Sequence, residues 1–339
     1  MITFGIAGIG AVLGRRTRVA DVALQYTSNL RQLKGWGFRS FHEAEPGVVA
    51  TDLAVRASEA ALAKSGIAAT EVDAVILCTT GPPEYLYWDP AAAVQGRVGA
   101  RNAEVLLVSH ACTSGVMAFD VAAGKFATHA TYDTVLLVAV NRVCEPYWNR
   151  MESSTAVYSD GAAAAVLKRG VRHCEWLTTE TISDGSLADL LLLEQGGAAK
   201  PWGPSTEPPE PVASAVQRLN AFYGGDNVSM QRFSELTVQR TRDVVLRACK
   251  RANVEAGTVA RLIHQNDNIV ALSRVADDLG IPLDRTNAEI AMDHGHVGCA
   301  DQLLTLNLEL SSGALRGGDL VALTAMGSGM HWSCTLLRV

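Results

Sequence analysis

The chain has no block of lysine and arginine. Its formal charge is −6 over 339 residues, so neither a nucleic acid nor an anionic membrane is expected as a partner. Long apolar runs are missing too. The longest near-apolar stretches are Val105–Val108, Val135–Val140 and Leu190–Leu193, far short of the roughly 18–20 residues of a membrane span. None of the seven cysteines falls in a C-x-x-C pair. That speaks against a zinc site or a disulfide scaffold and fits a reducing, cytoplasmic setting, with no metal expected. The opening MITFGIAGIGAVLG lacks a basic n-region and reads as a first strand, not a signal peptide. Charged residues make up only 19% and apolar residues 48%, which excludes a disordered chain and supplies a large core.

Short β-rich runs alternate with Ala-rich helical stretches. Strands are expected at Ile2–Ile9, Ala74–Cys78, Glu104–Ser109, Thr134–Val140 and Ala162–Lys168. A second series is expected at Cys174–Glu180, Leu262–Gln265, Glu289–Met292, Asp319–Thr324 and Ser333–Val339. Helices are expected at Val48–Ser65, Val116–Ala127, Glu235–Ala252, Asn268–Leu279 and Cys299–Ser312. Continuous apolar runs such as TVLLVAV suit strands buried on both faces, so the fold class is α/β. The two series run in the same order. EVLLVSHACTSGV matches EIAMDHGHVGCA as strand, tight turn and helix. The chain therefore reads as one fold written twice, in halves 1–170 and 171–339. Within the second half KPWGPSTEPPEP, residues 200–211, is too rich in proline for a helix or central strand and is expected to be a surface loop.

Four segments carry chemistry. Cys112 follows a strand and precedes an Ala-rich helix, where unpaired backbone N–H groups and the helix dipole favour a thiolate. Thr113, Ser114 and Gly115 would leave its approach open. The other six cysteines read as small core residues. His296 holds the matching place in the second half, beside His294 and Asp293, and is the candidate general base. In HQNDN, residues 264–268, Asp267 can orient a histidine or cap the following helix. In TAMGSGMHW, Gly327 and Gly329 permit close backbone approach. The amide of Ser328 there is a candidate oxyanion donor, paired with the amide of Cys112.

Taken together, GWGFRSFH, SHACTSGVMAFDVAAG, YSDGAAAAVL, ISDGS, EQGGAAKP and MGSGMHWSCTLLRV resemble the β-ketoacyl-acyl-carrier-protein synthase III family. The resemblance implies a thiolase-like, five-layered αβαβα fold and a homodimer. It also implies a cysteine that takes an acyl group from acyl-CoA or acyl carrier protein as co-substrate, with no permanently bound cofactor. The family reads P-H-Q-A-N where this chain reads IHQNDN, and G-N where it reads Gly295-His296. Without a gap, His264 falls at the proline, Gln265 at the histidine, Asp267 at the alanine and Asn268 at the asparagine. A one-residue shift would keep His264 in the histidine's place.

The ungapped reading is preferred. It yields a Cys112–His296–Asp267 set suited to transfer onto an alcohol or amine. That resembles the ester-forming acyltransferase variants of natural-product, polyketide and antibiotic pathways. A decarboxylating synthase using Cys112, His264 and His296 is the alternative, and a non-catalytic scaffold the third. Arg31, Trp36 and Arg150 are the candidates for contacting coenzyme A or the carrier.

Overall fold

The computed structural model describes residues 2–201 and 213–339. Most of the proline-rich loop expected at 200–211 lies outside them. Eleven strands and ten helices are found among the described residues. The strands are β1 Phe4–Leu13, β2 Arg15–Arg18, β3 Ser40–Glu43, β4 Ala74–Thr79, β5 Glu104–Val108 and β6 Thr134–Asn141. They continue as β7 Gly161–Arg169, β8 Glu175–Ser183, β9 Val259–His264, β10 Leu320–Gly327 and β11 His331–Arg338. The helices are α1 Val19–Tyr26, α2 Leu30–Trp36, α3 Ala50–Ser65, α4 Pro90–Val98 and α5 Ser114–Thr128. They continue as α6 Ala215–Phe222, α7 Asn227–Ala252, α8 Ile269–Leu279, α9 Ala288–His294 and α10 Asp301–Ser312.

Two sheets dominate. The first has the order β1-β7-β6-β4-β5 and the second β8-β11-β10-β9. In each, the first and last strands in sequence pair antiparallel, the last also pairs antiparallel with its other neighbour, and the remaining pairs run parallel. The second sheet thus repeats the first with its outermost place vacant. All eight residues of β6 are buried, as a strand covered on both faces requires. Helices α3 and α4 cover the outer face of the first sheet, and α7 covers that of the second. Helices α5 and α10 lie between the sheets and contact both. Their apolar faces, with Val116, Phe119, Leu303 and Leu306, join both inner sheet faces in one core. This is the five-layered αβαβα thiolase-like arrangement.

The vacancy corrects one expectation. Glu289–Met292 is not a strand but lies within α9. A four-residue run carries no period long enough to separate strand from helix. Here Ala291 and Met292 turn into a satellite core with Trp36, Phe38 and Phe41. Only a single bridge, Leu262 to Thr286, marks the place of the missing strand. The cysteine expectation also needs amendment. All seven thiols are free, five are buried, and Cys144 is only partly covered.

Candidate active site

Cys112 sits in the turn between β5 and α5. Ala111 before it holds a left-handed φ of 49°, a conformation that costs a non-glycine residue on the order of 1 kcal/mol or more and persists only when its surroundings enforce it. Two hydroxyls enforce it here. Thr113 Oγ1 donates to the His110 carbonyl at 2.6 Å. Ser114 Oγ accepts from the His110 amide at 2.8 Å and donates to the Ala111 carbonyl at 2.8 Å. Both residues are fully buried, so they staple the turn and do not line an open approach.

His296 reaches the same point from the second half. Helix α9 ends at His294, and Asn266 Nδ2 donates to the Gly295 carbonyl at 2.7 Å. The His296 amide donates to the Val157 carbonyl at 2.7 Å, and its own carbonyl accepts from Ser159 at 2.9 Å. The imidazole is thus fixed to a segment of the first half. Its Nε2 lies 3.1 Å from Cys112 Sγ, within hydrogen-bond range for sulfur. Its Nδ1 lies 2.5 Å from Asp301 Oδ2. The Asp301 carboxylate is fully buried and also accepts from the amides of Asn266 at 2.7 Å and Val297 at 2.6 Å. As first residue of α10 it lies where the helix dipole favours a negative charge. Burial presses the His296 pKa down. The opposing charge and hydrogen bonds of Asp301 and Cys112 outweigh it and hold His296 well above the ordinary imidazole value.

Asp267 is therefore not the partner of His296. Its Oδ1 accepts from Thr155 Oγ1 at 2.8 Å and its Oδ2 lies 3.6 Å from His264 Nε2. The Gln265 amide points at both of its oxygens. Burial raises its pKa, but the pairing with His264, the charge of His296 and the Thr155 bond prevail and keep it below the ordinary carboxylate value. His264 turns its Nδ1 to Thr324 Oγ1 at 2.8 Å and is fixed by Asn287 through its backbone. It makes no hydrogen bond to Cys112, in contrast to His296. Asn268 caps α8, accepting from Val270 and Ala271 and donating to the Thr155 carbonyl.

Gly327 packs on the nucleophile turn. A Cβ there would lie 2.6 Å from the His110 carbonyl oxygen, so the chain enters the turn through Ser328 beside the Cys112 segment. Gly329 takes a φ of 133° in that turn.

Two of the three coenzyme contacts are corrected. Trp36 is buried in the satellite core. Arg150 is buried as well. It grips Asp160 through two nitrogens at 3.1 and 2.9 Å and Glu145 at 2.7 Å. Asp160 also takes the amides of Val143 and Ala44, which makes this pair a strut of the first half. Only Arg31 is exposed.

The site's other members escaped the sequence reading. They are Asp301, Thr324 and Tyr158, whose ring lies 5.5 Å from that of His296.

Comparison with known proteins identifies the family. Models described as 3-oxoacyl-[acyl-carrier-protein] synthase III and its C-terminal region match residues 108–185 and 249–339. The β-ketoacyl-[acyl-carrier-protein] synthase III 3 of Streptomyces coelicolor is 31% identical, with 98% of this chain and 96% of the relative covered. The chain belongs to the synthase III family. Among solved structures, the synthase III of Pseudomonas aeruginosa superposes with a TM-score of 0.80 at 26% identity, covering 99% of this chain and 98% of that one. ChlB3, described as an acyltransferase, superposes with 0.86 at 21% identity, covering 100% and 98%. The synthase III fold here carries the family's transferase or condensing-enzyme framework, and no described helix is long and apolar enough to cross a membrane.

Proposed function

We propose that this synthase III relative transfers an acyl group through a Cys112 thioester onto an alcohol or amine, forming an ester or amide. The observation that carries the reading is the unbroken line Cys112 Sγ–His296–Asp301 at 3.1 and 2.5 Å. In the first half-reaction the Cys112 thiolate attacks the thioester carbonyl of acyl-CoA or acyl carrier protein. The donor's sulfur leaves and takes the proton from the His296 imidazolium. In the second, His296 Nε2 removes the acceptor's proton as its oxygen or nitrogen attacks the Cys112 thioester. The Cys112 sulfur leaves as thiolate, and the starting ion pair is restored. Asp301 steadies the imidazolium in both. The amides of Cys112 and Ser328 are the proposed donors to the tetrahedral oxyanion.

Charge favours transfer over decarboxylation. A carboxylated donor and its enolate need neutral donors facing them. In the ungapped reading the place of the family's histidine goes to Gln265, whose side chain is spent on Asp267 and the Met326 amide. The buried Asp267 carboxylate adjoins it, and its negative charge opposes an enolate. ChlB3 gives an instance of this fold described as an acyltransferase. The setting we propose is a natural-product pathway, polyketide or antibiotic, in the cytoplasm. The proposed assembly is a homodimer.

A second reading, decarboxylating condensation, draws on the names of the curated relatives, which are β-ketoacyl-[acyl-carrier-protein] synthases III. Product analysis separates the two. The protein is incubated with acyl-CoA, or with acyl- and malonyl-carrier protein, and a panel of alcohols and amines. Ester or amide without carbon dioxide is expected. Carbon dioxide with a chain-extended ketone would overturn the proposal. A protein that gains no acyl mass on Cys112 would be a scaffold.

A further inference from the structure

A row of rings leads from His296 toward solvent. Tyr158 lies against His296 with ring centroids 5.5 Å apart, and Trp148 lies 6.0 Å from Tyr158. The Arg218 guanidinium, carried by α6, covers the Trp148 ring at 4.8 Å. Two members of the row, Tyr158 and Arg218, keep unused hydrogen-bonding groups among the described residues. The Tyr158 hydroxyl has no hydrogen bond among the described residues, although the ring is half-buried. Burial, together with the charges of Cys112 and Asp267, pushes its pKa up to about 12, so it is a neutral O–H. Arg218 donates to the Leu192 carbonyl at 3.2 Å and pairs with no carboxylate among the described residues. It is half-buried, and a guanidinium has five donors and stays charged. Most are left over. A partly desolvated cation stacked on an aromatic face, with no acid beside it among the described residues, attracts an anion from solution.

We infer that Arg218, held on Trp148, and Tyr158 form a recognition subsite for an anionic group, such as a carboxylate, on the acyl acceptor. The inference rests on the transfer reading for the word acceptor, because the row ends on His296, the group that takes the acceptor's proton. The stacked guanidinium would grip the anion. Tyr158 would offer its O–H to the acceptor's heteroatom next to His296.

The test needs no knowledge of the acceptor. Cys112 is alkylated with iodoacetate, which carries a carboxylate, and with iodoacetamide, which is neutral and of the same size. The ratio of the two rates reads positive charge at the site, and a general loss of structure does not move it. Arg218→Gln should lower the iodoacetate-to-iodoacetamide ratio about fivefold, the size expected of one charge at intermediate effective dielectric. Arg218→Lys should restore most of it. An unchanged ratio overturns the subsite. The donor side is examined by Cys112 acylation with acetyl-CoA and with the uncharged acetyl N-acetylcysteamine thioester. Arg218→Gln should leave their ratio unaltered. A selective loss with acetyl-CoA would assign Arg218 to the donor's phosphates and overturn the acceptor assignment. If the alkylation ratio falls while no ester or amide ever forms, the transfer reading fails and the anion subsite stands.

Discussion

His296 and Asp301 stand five residues apart and meet at 2.5 Å across the short turn Gly298–Ala300. The carboxylate is pinned by two backbone amides before it touches the imidazole, so it cannot follow the ring away from Cys112. Asp301→Asn should therefore weaken acyl transfer by roughly 10²–10⁴-fold, with the folded state retained by circular dichroism. Asp267→Asn should cost far less, because Asp267 bonds His264 and Thr155. Rates of Cys112 acylation by intact-protein mass spectrometry compare the two, and equal losses would refute the division of roles.

Replacing the imidazole itself separates the half-reactions. His296→Asn restores the family's G-N pattern at this turn and removes the base. Ester or amide formation should fall at least 100-fold. Acyl mass should still accumulate on Cys112, more slowly, when donor is in excess. The measurement is acyl-enzyme by mass spectrometry alongside product by chromatography. Full transfer in the variant would show that another group removes the acceptor's proton.

Arg150 gives a prediction of a different kind. Its guanidinium and the Asp160 carboxylate are both buried. Arg150→Met leaves that carboxylate without its cation and should destabilise the fold by about 3–5 kcal/mol, seen in denaturant unfolding. The KM for acyl-CoA of the protein that remains folded should hardly move. A large rise in KM without loss of stability would return Arg150 to the coenzyme's binding face.

Glu309 on α10 lies 3.1 Å from Arg261 and is buried. Burial outweighs the arginine and pushes its pKa up to about 7, from 4.5. Between these values the folded protein binds the proton that the unfolded chain has released, so stability falls as pH rises through that window. Glu309→Gln should remove this part of the pH dependence. Arg261 keeps the carbonyls of Asp284 and Thr286. Thermal unfolding at pH 5 and pH 8 should show the variant gaining on the parent at the higher pH. A constant difference would contradict the shift.

The pairing of Cys112 with His296 was legible because two turns in matching places of a twice-written fold face each other. Asp301 was not. An acid in the first turn of a helix satisfies the helix dipole wherever it occurs, so its residue type announces nothing further. Asp267 looked better placed in sequence, but Thr155 and Gln265, both set by tertiary packing, claim its oxygens. Arg150 read as a contact for coenzyme A or the carrier because its acid lies ten residues on, across a loop whose path no periodicity predicts. The sheets were legible from their unbroken apolar runs, whereas EIAM was too short to declare itself. Tyr158 and Arg218 lie in separate segments that only the folded chain brings toward one another.

At the centre of the molecule the start of α5 passes the Cys299 carbonyl so closely that a methyl group on Gly115 would sit 2.2 Å from that oxygen. One hydrogen atom thus sets how near the sulfur-bearing helix can come to the strand of chain that carries the imidazole. The reactive pair owes its spacing to a residue that never meets a substrate. Enlarging that residue would blunt the enzyme by prising its two reagents apart while leaving every reactive atom intact.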